Sequence, residues 1–316
     1  MWGAKIRYSI SNFSMETISP PPLQPGDKVA LISTARKVPE AAIDKAVELI
    51  KSWSYEPVEG AHLRSVDRQY AGTDSERRAD LQWALDHQDI RAVICMRGGY
   101  GTARIIDDLD LDGLRFSPKW VAGYSDVCAL HHHLYTQLGL QSLHSSMPVN
   151  FAENSSEALE SLRLQLGGNW VNSIAAVHRL NREGSAEGNL IGGNLSVLYS
   201  QMGSRSELST EGAILILEDL DEYLYHIDRM MLALRRAGKL QKLAGLVVGG
   251  MTEMRDNPVP FGKNAEEIIA EHCEPYSFPL AFNLPSGHIA DNRCWVHGKK
   301  VRLTVKNDQP SSLNHC

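Results

Sequence analysis

Ser125 ends a short apolar run in the segment Val121-Ala122-Gly123-Tyr124-Ser125-Asp126-Val127, and a helical pattern begins at once with Asp126. A serine at a sharp strand-to-helix turn stands where the free N–H groups of the next helix point. Those donors, with the positive end of the helix dipole, can stabilise an oxyanion growing beside the hydroxyl. Serine and aspartate at a helix start are also ordinary caps, and taken alone this segment reads as a cap. Nucleophilic chemistry needs a base, a group that orients the base, and a second oxyanion donor elsewhere in the chain.

Three other segments carry candidate groups. Met96-Arg97-Gly98-Gly99-Tyr100-Gly101 directly follows an apolar strand pattern, and its glycines let the backbone approach another group closely. It matches neither G-x-G-x-x-G nor the P-loop pattern, so it fits a phosphate cradle poorly. A backbone N–H for an oxyanion and a plain tight turn both stay open, and Arg97 is a candidate for meeting a substrate carboxylate. Glu218, Asp219, Asp221 and Glu222 cluster after the apolar run 213–217. Glu218 directly ends that run, at a sheet rim, where a carboxylate can accept a histidine N–H, fix its tautomer and stabilise the imidazolium. Four acids also suggest a metal, but no adjacent histidine spacing supports one, so no metal is expected. Of 12 histidines, His131, His132 and His133 point around one helix and cannot all serve one site; packing or solvated roles suit them. His144 and His288 lie in loops and are comparable as a base by spacing alone. A different hydrolase, such as an esterase or glutaminase, would use Cys95 as nucleophile, but Cys95 precedes Met96-Arg97 rather than a tight nucleophile turn.

These groups must be held by regular elements. Residues 29–33, 91–96 and 121–124 read as short, continuously apolar strands, and 39–53 carries helical periodicity through Ala42, Ala46, Val47 and Ile50. Thr73 with Glu76 three residues on is a capping-box pattern opening a helix to about His87. Helices alternating with such strands predict a largely parallel sheet covered on both faces. After Pro148 the chain turns polar and weakly patterned, a connection with one helix. Beyond Gly188, Gly192-Gly193 precedes a helix through Leu195, Val197 and Leu198. Strands are expected at 213–217 and 243–248, helices at 226–237 (closed by Gly238) and 264–273, and an alternating final strand at 300–305. The expectation is an α/β chain. A flavodoxin- or Rossmann-like parallel-sheet domain spans 20–150, a connection 151–187, and a smaller mixed α/β domain 188–310.

The 316 residues carry a net charge of -6 and are 43% hydrophobic and 22% charged, the balance of a soluble globular protein. Nucleic acid and anionic membrane are disfavoured as partners by that charge. Five cysteines (Cys95, Cys128, Cys273, Cys294 and Cys316) show no paired spacing, which suits a reducing compartment. Residues 1–19 lack the continuous apolar core of a secretory signal, and no stretch is apolar for long enough to span a membrane. A cytoplasmic location is expected.

Four segments, in order, resemble the L,D-carboxypeptidase family of serine peptidases. They are Arg97-Gly98-Gly99-Tyr100-Gly101, Gly123-Tyr124-Ser125-Asp126, Gly192-Gly193-Asn194-Leu195, and Glu218-Asp219 with Asp228-Arg229-Met230. Pro285-Ser286-Gly287-His288 is similar to that family's Gly-His loop, and together the segments cover roughly Pro25 to Val305. The resemblance implies a Ser-Glu-His triad falling on Ser125, Glu218 and His288, with oxyanion donors at the backbone N–H of Asp126 and of Gly99. It implies a site in the groove between two domains, commonly in a homodimer, with no cofactor. The implied reaction releases terminal D-alanine from cytoplasmic murein tetrapeptide during cell-wall recycling. Some members instead cleave peptidyl-nucleotide antibiotics for self-immunity, and Trp170 is the candidate for stacking on a nucleobase. Arg97 and Arg229 are candidates for the terminal carboxylate. Two departures from the family pattern stand at His144-Ser145-Ser146-Met147 and Trp295-Val296-His297-Gly298, and they bear on substrate fit more than on the triad.

Overall fold

The computed structural model describes residues 17–316. Its first sheet is built from β1 (Lys28–Ile32), β2 (Glu56–Glu59), β3 (Ile90–Cys95), β4 (Trp120–Gly123) and β5 (Ser142–His144), interleaved with α1 (Glu40–Ser52), α2 (Asp74–Asp86) and α3 (Cys128–Leu138). The strands are parallel in the order 2-1-3-4-5, the doubly wound order in which the crevice lies at the carboxyl ends of the strands. β3 and β4 are buried almost throughout, which is why they read as continuous apolar runs. β2 has the sequence Glu-Pro-Val-Glu and lies at the open edge, where charge and proline discourage pairing with another chain. Thr73 and Glu76 form the expected capping box, worth about 1 kcal/mol to α2.

The connection contains α4 (Ser156–Leu166), and β6 (Ser173–Ala175) joins the second sheet. The remaining elements are β7 (Gly184–Asn194), α5 (Leu195–Ser200), β8 (Ile214–Leu220), α6 (Leu224–Arg236), β9 (Gly245–Thr252), α7 (Ala265–Cys273), β10 (Leu280–Ala281), β11 (Trp295–His297), β12 (Lys300–Val305) and β13 (Ser311–His315). Strands 10-9-8-7 run parallel, and 12-13-6 continue the sheet antiparallel, so it is mixed. The 300–305 strand is therefore not the last, because β13 pairs beside it. β11 leaves this half altogether and adds antiparallel to β5 at the edge of the first sheet. Separate apolar cores lie under the helices of each sheet, such as Ile227, Met231 and Ile268 against Leu217 and Val248 in the second. Among the described residues no helix is long and apolar enough to cross a membrane.

Candidate active site

β4 stops at Gly123, Tyr124 is extended, and Ser125 takes a left-handed backbone with φ 61° before a single turn of 3-10 helix leads into α3. A non-glycine residue in that region costs about 1–3 kcal/mol and persists only where its surroundings over-determine it. The side chain caps neither the 3-10 turn nor α3, so the cap reading is set aside. Its Oγ instead lies 3.1 Å from His288 Nε2. Asp126 is buried and its carboxylate accepts the Thr102 N–H at 2.8 Å, pinning the loop that follows β3 to the start of the turn. Burial pushes the Asp126 carboxyl above its ordinary value, and hydrogen bonds from Thr102 and Gly101 pull it back. The glycine loop lies directly against the serine: a Cβ on Gly98 would stand 3.1 Å from Ser125 Cβ and 3.3 Å from Asp126 N. Gly98 and the Asp126 amide thus lie together against Ser125.

His288 and Glu218 come from the other half of the chain. β8 runs on to Leu220, so Glu218 lies inside the strand rather than just beyond it. The β8–β9 register shifts between Leu217 and Asp219: Leu217 faces Val248 but Asp219 faces Met251, which leaves Gly249-Gly250 opposite Glu218. Such a bulge re-aims a side chain at a sheet rim. Both glycines are also needed for space, since a Cβ on Gly249 would come 2.5 Å from Ser286 O, and one on Gly250 would come 2.7 Å from Ile289 Cγ2. The loop carrying His288 therefore rests on bare backbone, with the Gly250 N–H donating to Ser286 O and Thr252 Oγ1 to His288 O. His288 Nδ1 lies 2.7 Å from Glu218 Oε2, and Glu218 is fully buried. Burial alone would push the His288 imidazole down. The charge and hydrogen bond of Glu218, helped by Asp219 and Glu253, more than offset this, so it stands above its ordinary value. The Tyr124 ring packs against His288 with centroids 4.8 Å apart, and its hydroxyl donates to Asn150 Oδ1.

A cavity of about 300 Å³ opens beside His288, bounded by Tyr124, Asn150 and Glu153 from one half and Leu220 and Glu253 from the other. A serine, an imidazole and a buried carboxylate in hydrogen-bonded series, beside the Asp126 amide, a glycine loop and a groove, can carry out acyl transfer. Residues 29–145 match the model of the LD-carboxypeptidase N-terminal domain, and residues 187–303 match that of the LD-carboxypeptidase C-terminal domain. The chain belongs to the LD-carboxypeptidase family. The murein tetrapeptide carboxypeptidase of Pseudomonas aeruginosa is 32% identical over 298 residues, covering 89% of this chain and 94% of that protein. The crystal structure of a muramoyltetrapeptide carboxypeptidase from Oxalobacter formigenes superposes with TM-score 0.82 at 27% identity, covering 92% of this chain and 99% of that one. The microcin C7 self-immunity protein in complex with aspartyl sulfamoyl adenosine shares the fold, with TM-score 0.83 at 20% identity over 94% of this chain and 98% of that one.

Of the residues assigned from the LD-carboxypeptidase resemblance, Ser125, His288 and Glu218 meet, Asp126 directly follows the serine, and it is Gly98, the residue before Gly99, that lies against Ser125. Arg97 and Arg229 do not line the cavity. The Arg97 guanidinium donates to Lys37 O, and that of Arg229 lies over the Tyr225 ring of its own helix, 5.1 Å from the centroid. The other acids of the 218–222 cluster turn to separate partners, so they form no common site. Asp219 accepts from Asn194 Nδ2 and Ser196 N, Asp221 pairs with Arg255, and Glu222 with His226. Cys95 is fully buried and its thiol is pushed up to about 12 by that burial, which removes it as a nucleophile. Trp170 packs edge-on to Trp120 under the Lys299 ammonium and does not line the cavity.

His144 also drops out as the base: it is buried, makes no hydrogen bond to Ser125, and stacks on Trp295 at 4.7 Å. That contact joins the two departures from the family pattern. β5 and β11 pair so that Trp295 faces His144 and His297 faces Ser142, while Trp295 Nε1 donates to Ser286 Oγ beside Gly287. His131, His132 and His133 are all buried rather than solvated. Sequence reasoning missed the Gly249-Gly250 bulge and Asn292, whose Oδ1 accepts the Gly287 N–H at 2.8 Å. A Gly-Gly pair closing an apolar run was the available signal for the first; the second carried none.

Proposed function

We propose that this protein is a serine carboxypeptidase that hydrolyses the L,D-peptide bond to the terminal D-alanine of murein tetrapeptide in cell-wall recycling, with Ser125 as nucleophile. The observation that carries this reading is the series Ser125 Oγ–His288 Nε2 at 3.1 Å and His288 Nδ1–Glu218 Oε2 at 2.7 Å. His288 takes the hydroxyl proton as Oγ attacks the carbonyl carbon, and Glu218 holds the imidazole in its Nδ1–H tautomer and balances the imidazolium. The N–H groups of Asp126 and Gly99 receive the oxyanion. Collapse breaks the C–N bond, and His288 passes its proton to the leaving amine. Water, activated by the same histidine, then hydrolyses the ester and restores Ser125. The name of the Pseudomonas aeruginosa relative supports the substrate assignment.

The test is incubation with murein tetrapeptide and, separately, with a peptidyl-nucleotide, with products identified by mass. D-alanine released from the first alone is expected. Cleavage of the second alone would move the protein to the immunity reading, which the shared fold of the microcin C7 self-immunity protein keeps in view. A homodimer and a cytoplasmic location belong to the same proposal; light scattering and cell fractionation test them.

A further inference from the structure

An exopeptidase must recognise the free carboxylate of the residue it releases, and the Arg97 guanidinium is engaged by Lys37 O while that of Arg229 lies over Tyr225 of its own helix. Arg36 stands elsewhere in the fold, just beyond β1 at the carboxyl edge of the first sheet. Its N–H donates to Gly98 O, and its side chain lies across Gly99, where an added Cβ would come 2.5 Å from Cδ and 2.8 Å from Nε. Gly99 is one residue from the glycine that touches Ser125 Cβ. Arg36 is exposed, and among the described residues no carboxylate pairs with it. Acids near this rim are taken: Asp67 by Arg68, and Asp74 by Arg77 and Arg104. Arg97 is close enough that, after burial, the Arg36 charge is what holds its guanidinium below the ordinary value. Two guanidinium groups close together with no counter-charge describe a place for an anion. The cavity beside His288 has the reverse sign: Glu153 and Glu253 border it and make no ion pair among the described residues.

We propose that Arg36 binds the α-carboxylate of the leaving residue, so that the released amino acid lies along Gly98-Gly99 and the acyl part of the peptide lies toward Tyr124 and Glu253. This rests on the carboxypeptidase reading and adds to it the residue that makes the enzyme an exopeptidase, together with the direction of the bound chain. A carboxylate placed in the cavity beside His288 would instead meet Glu153 and Glu253. Arg36 presents a planar fork that suits a carboxylate bidentately, a geometry that an ammonium reproduces only in part.

The experiment compares two tetrapeptides that differ only at the end, one a D-alanine free acid and the other its amide. The unaltered protein should prefer the acid in kcat/KM by about tenfold to a hundredfold, the range of a charge-assisted hydrogen-bonded pair. Arg36→Gln should bring that ratio close to one, mainly by raising KM for the acid, and Arg36→Lys should restore part of it. A merely structural role would lower kcat/KM for both peptides and leave the ratio standing, which overturns the proposal. Binding is read separately on the Ser125→Ala protein by calorimetry. The acid should bind more tightly than the amide, and adding Arg36→Gln should abolish the difference; equal binding before that change also overturns it. If the unaltered protein cleaves neither peptide, releasing neither D-alanine from the acid nor D-alaninamide from the amide, the carboxypeptidase reading fails, and the calorimetric pair still decides Arg36.

Discussion

Gly287→Ala tests whether the triad depends on a backbone contact rather than only on its three side chains. Gly287 has φ 103°, in the region that favours glycine, and its Cβ would lie 2.6 Å from both Glu218 Cβ and Glu218 Oε2. Carbon atoms relax to about 3.5–4.0 Å, so the loop or the glutamate must move by about 1 Å. The backbone strain costs about 1–3 kcal/mol and the overpacking a similar amount, which together make a loss of stability near 4 kcal/mol. That is within the usual margin of about 5–15 kcal/mol, so the variant should still fold. A 1 Å misplacement at the reacting groups costs about 100-fold in rate, which sets the expected fall in kcat. The control is Gly203→Ala, where φ is 80° and no atom lies within 4 Å of the new methyl. It should lose about 1–2 kcal/mol from strain alone and keep its kcat. Urea unfolding and D-alanine release are measured on both. A Gly287→Ala protein with kcat within threefold of the unaltered chain, and a stability loss no larger than the control's, would refute the reasoning.

Ser125→Ala should lower kcat by at least about 1000-fold, and Ser125→Gly equally, but glycine relieves the left-handed backbone and should be the more stable of the two by about 1 kcal/mol in urea unfolding. Because Glu218 holds His288 above its ordinary value, kcat/KM should fall on the acid side at a pH above 6.5, where the base becomes protonated. Glu218→Gln removes the anion, so that limb should move to lower pH while the plateau drops; an unmoved limb counts against the pairing. His131, His132, His144 and His297 form a buried cluster in which six ring nitrogens lack partners, and burial holds His131 and His132 down at about 4 and the other two well below 6.5. The folded state refuses protons that the unfolded chain accepts below 6.5, so stability is intact above that pH and falls as the pH drops toward 4. Four such groups lose about 5 kcal/mol per pH unit, and the buried Asp219 carboxyl, pushed up to about 7 by burial, takes a proton when folded and reduces this to about 4; the Asp126 carboxyl, also raised by burial, acts in the same direction. Urea midpoints between pH 7 and 4.5 measure it, and a flat profile would contradict the cluster's neutrality.

The sequence carried the parts of the fold that are buried on both faces. β3, β4 and the start of β8 are nearly continuous apolar runs because helices cover the sheets, and α2 declared itself by Thr73 and Glu76. β2 and β5 were silent, one because an edge strand keeps charge and proline, the other because three residues, Ser-Leu-His, have no period to show. The crossing of β11 to the first sheet depends on a tertiary partner, His144, that no local pattern names. Ser125 and Glu218 were legible because each terminates an apolar run. The choice of His288 over His144 came from the family resemblance, since spacing left them equal; physically it rests on which ring is sealed against Trp295 and which faces Oγ. Arg36 gave no signal, because it lies over Gly99, about sixty positions away in the sequence.

The route of the chain between β10 and β11 explains why three groups from distant segments keep one geometry. β10 belongs to the second sheet and β11 to the first, so the segment carrying Gly287-His288 is the covalent passage between them. It is fastened from both sides. From the second half, Gly250 N–H donates to Ser286 O and Thr252 Oγ1 to His288 O; from the first, Ser155 N–H and Asn154 Nδ2 donate to Ala290 O and Ser155 Oγ to Asp291 Oδ1. A hinge opening between the sheets would have to stretch this passage, and the imidazole would leave either Ser125 or Glu218. His144 and Trp295 seal its far end by stacking where β5 meets β11, and Trp295 reaches back to Ser286. The two departures from the family pattern therefore form one contact under the histidine loop, a fit to each other that leaves the triad unchanged. The left-handed Ser125 needs such support, because a strain of about 1–3 kcal/mol survives only if closing the sheets around it returns more than relaxing it would.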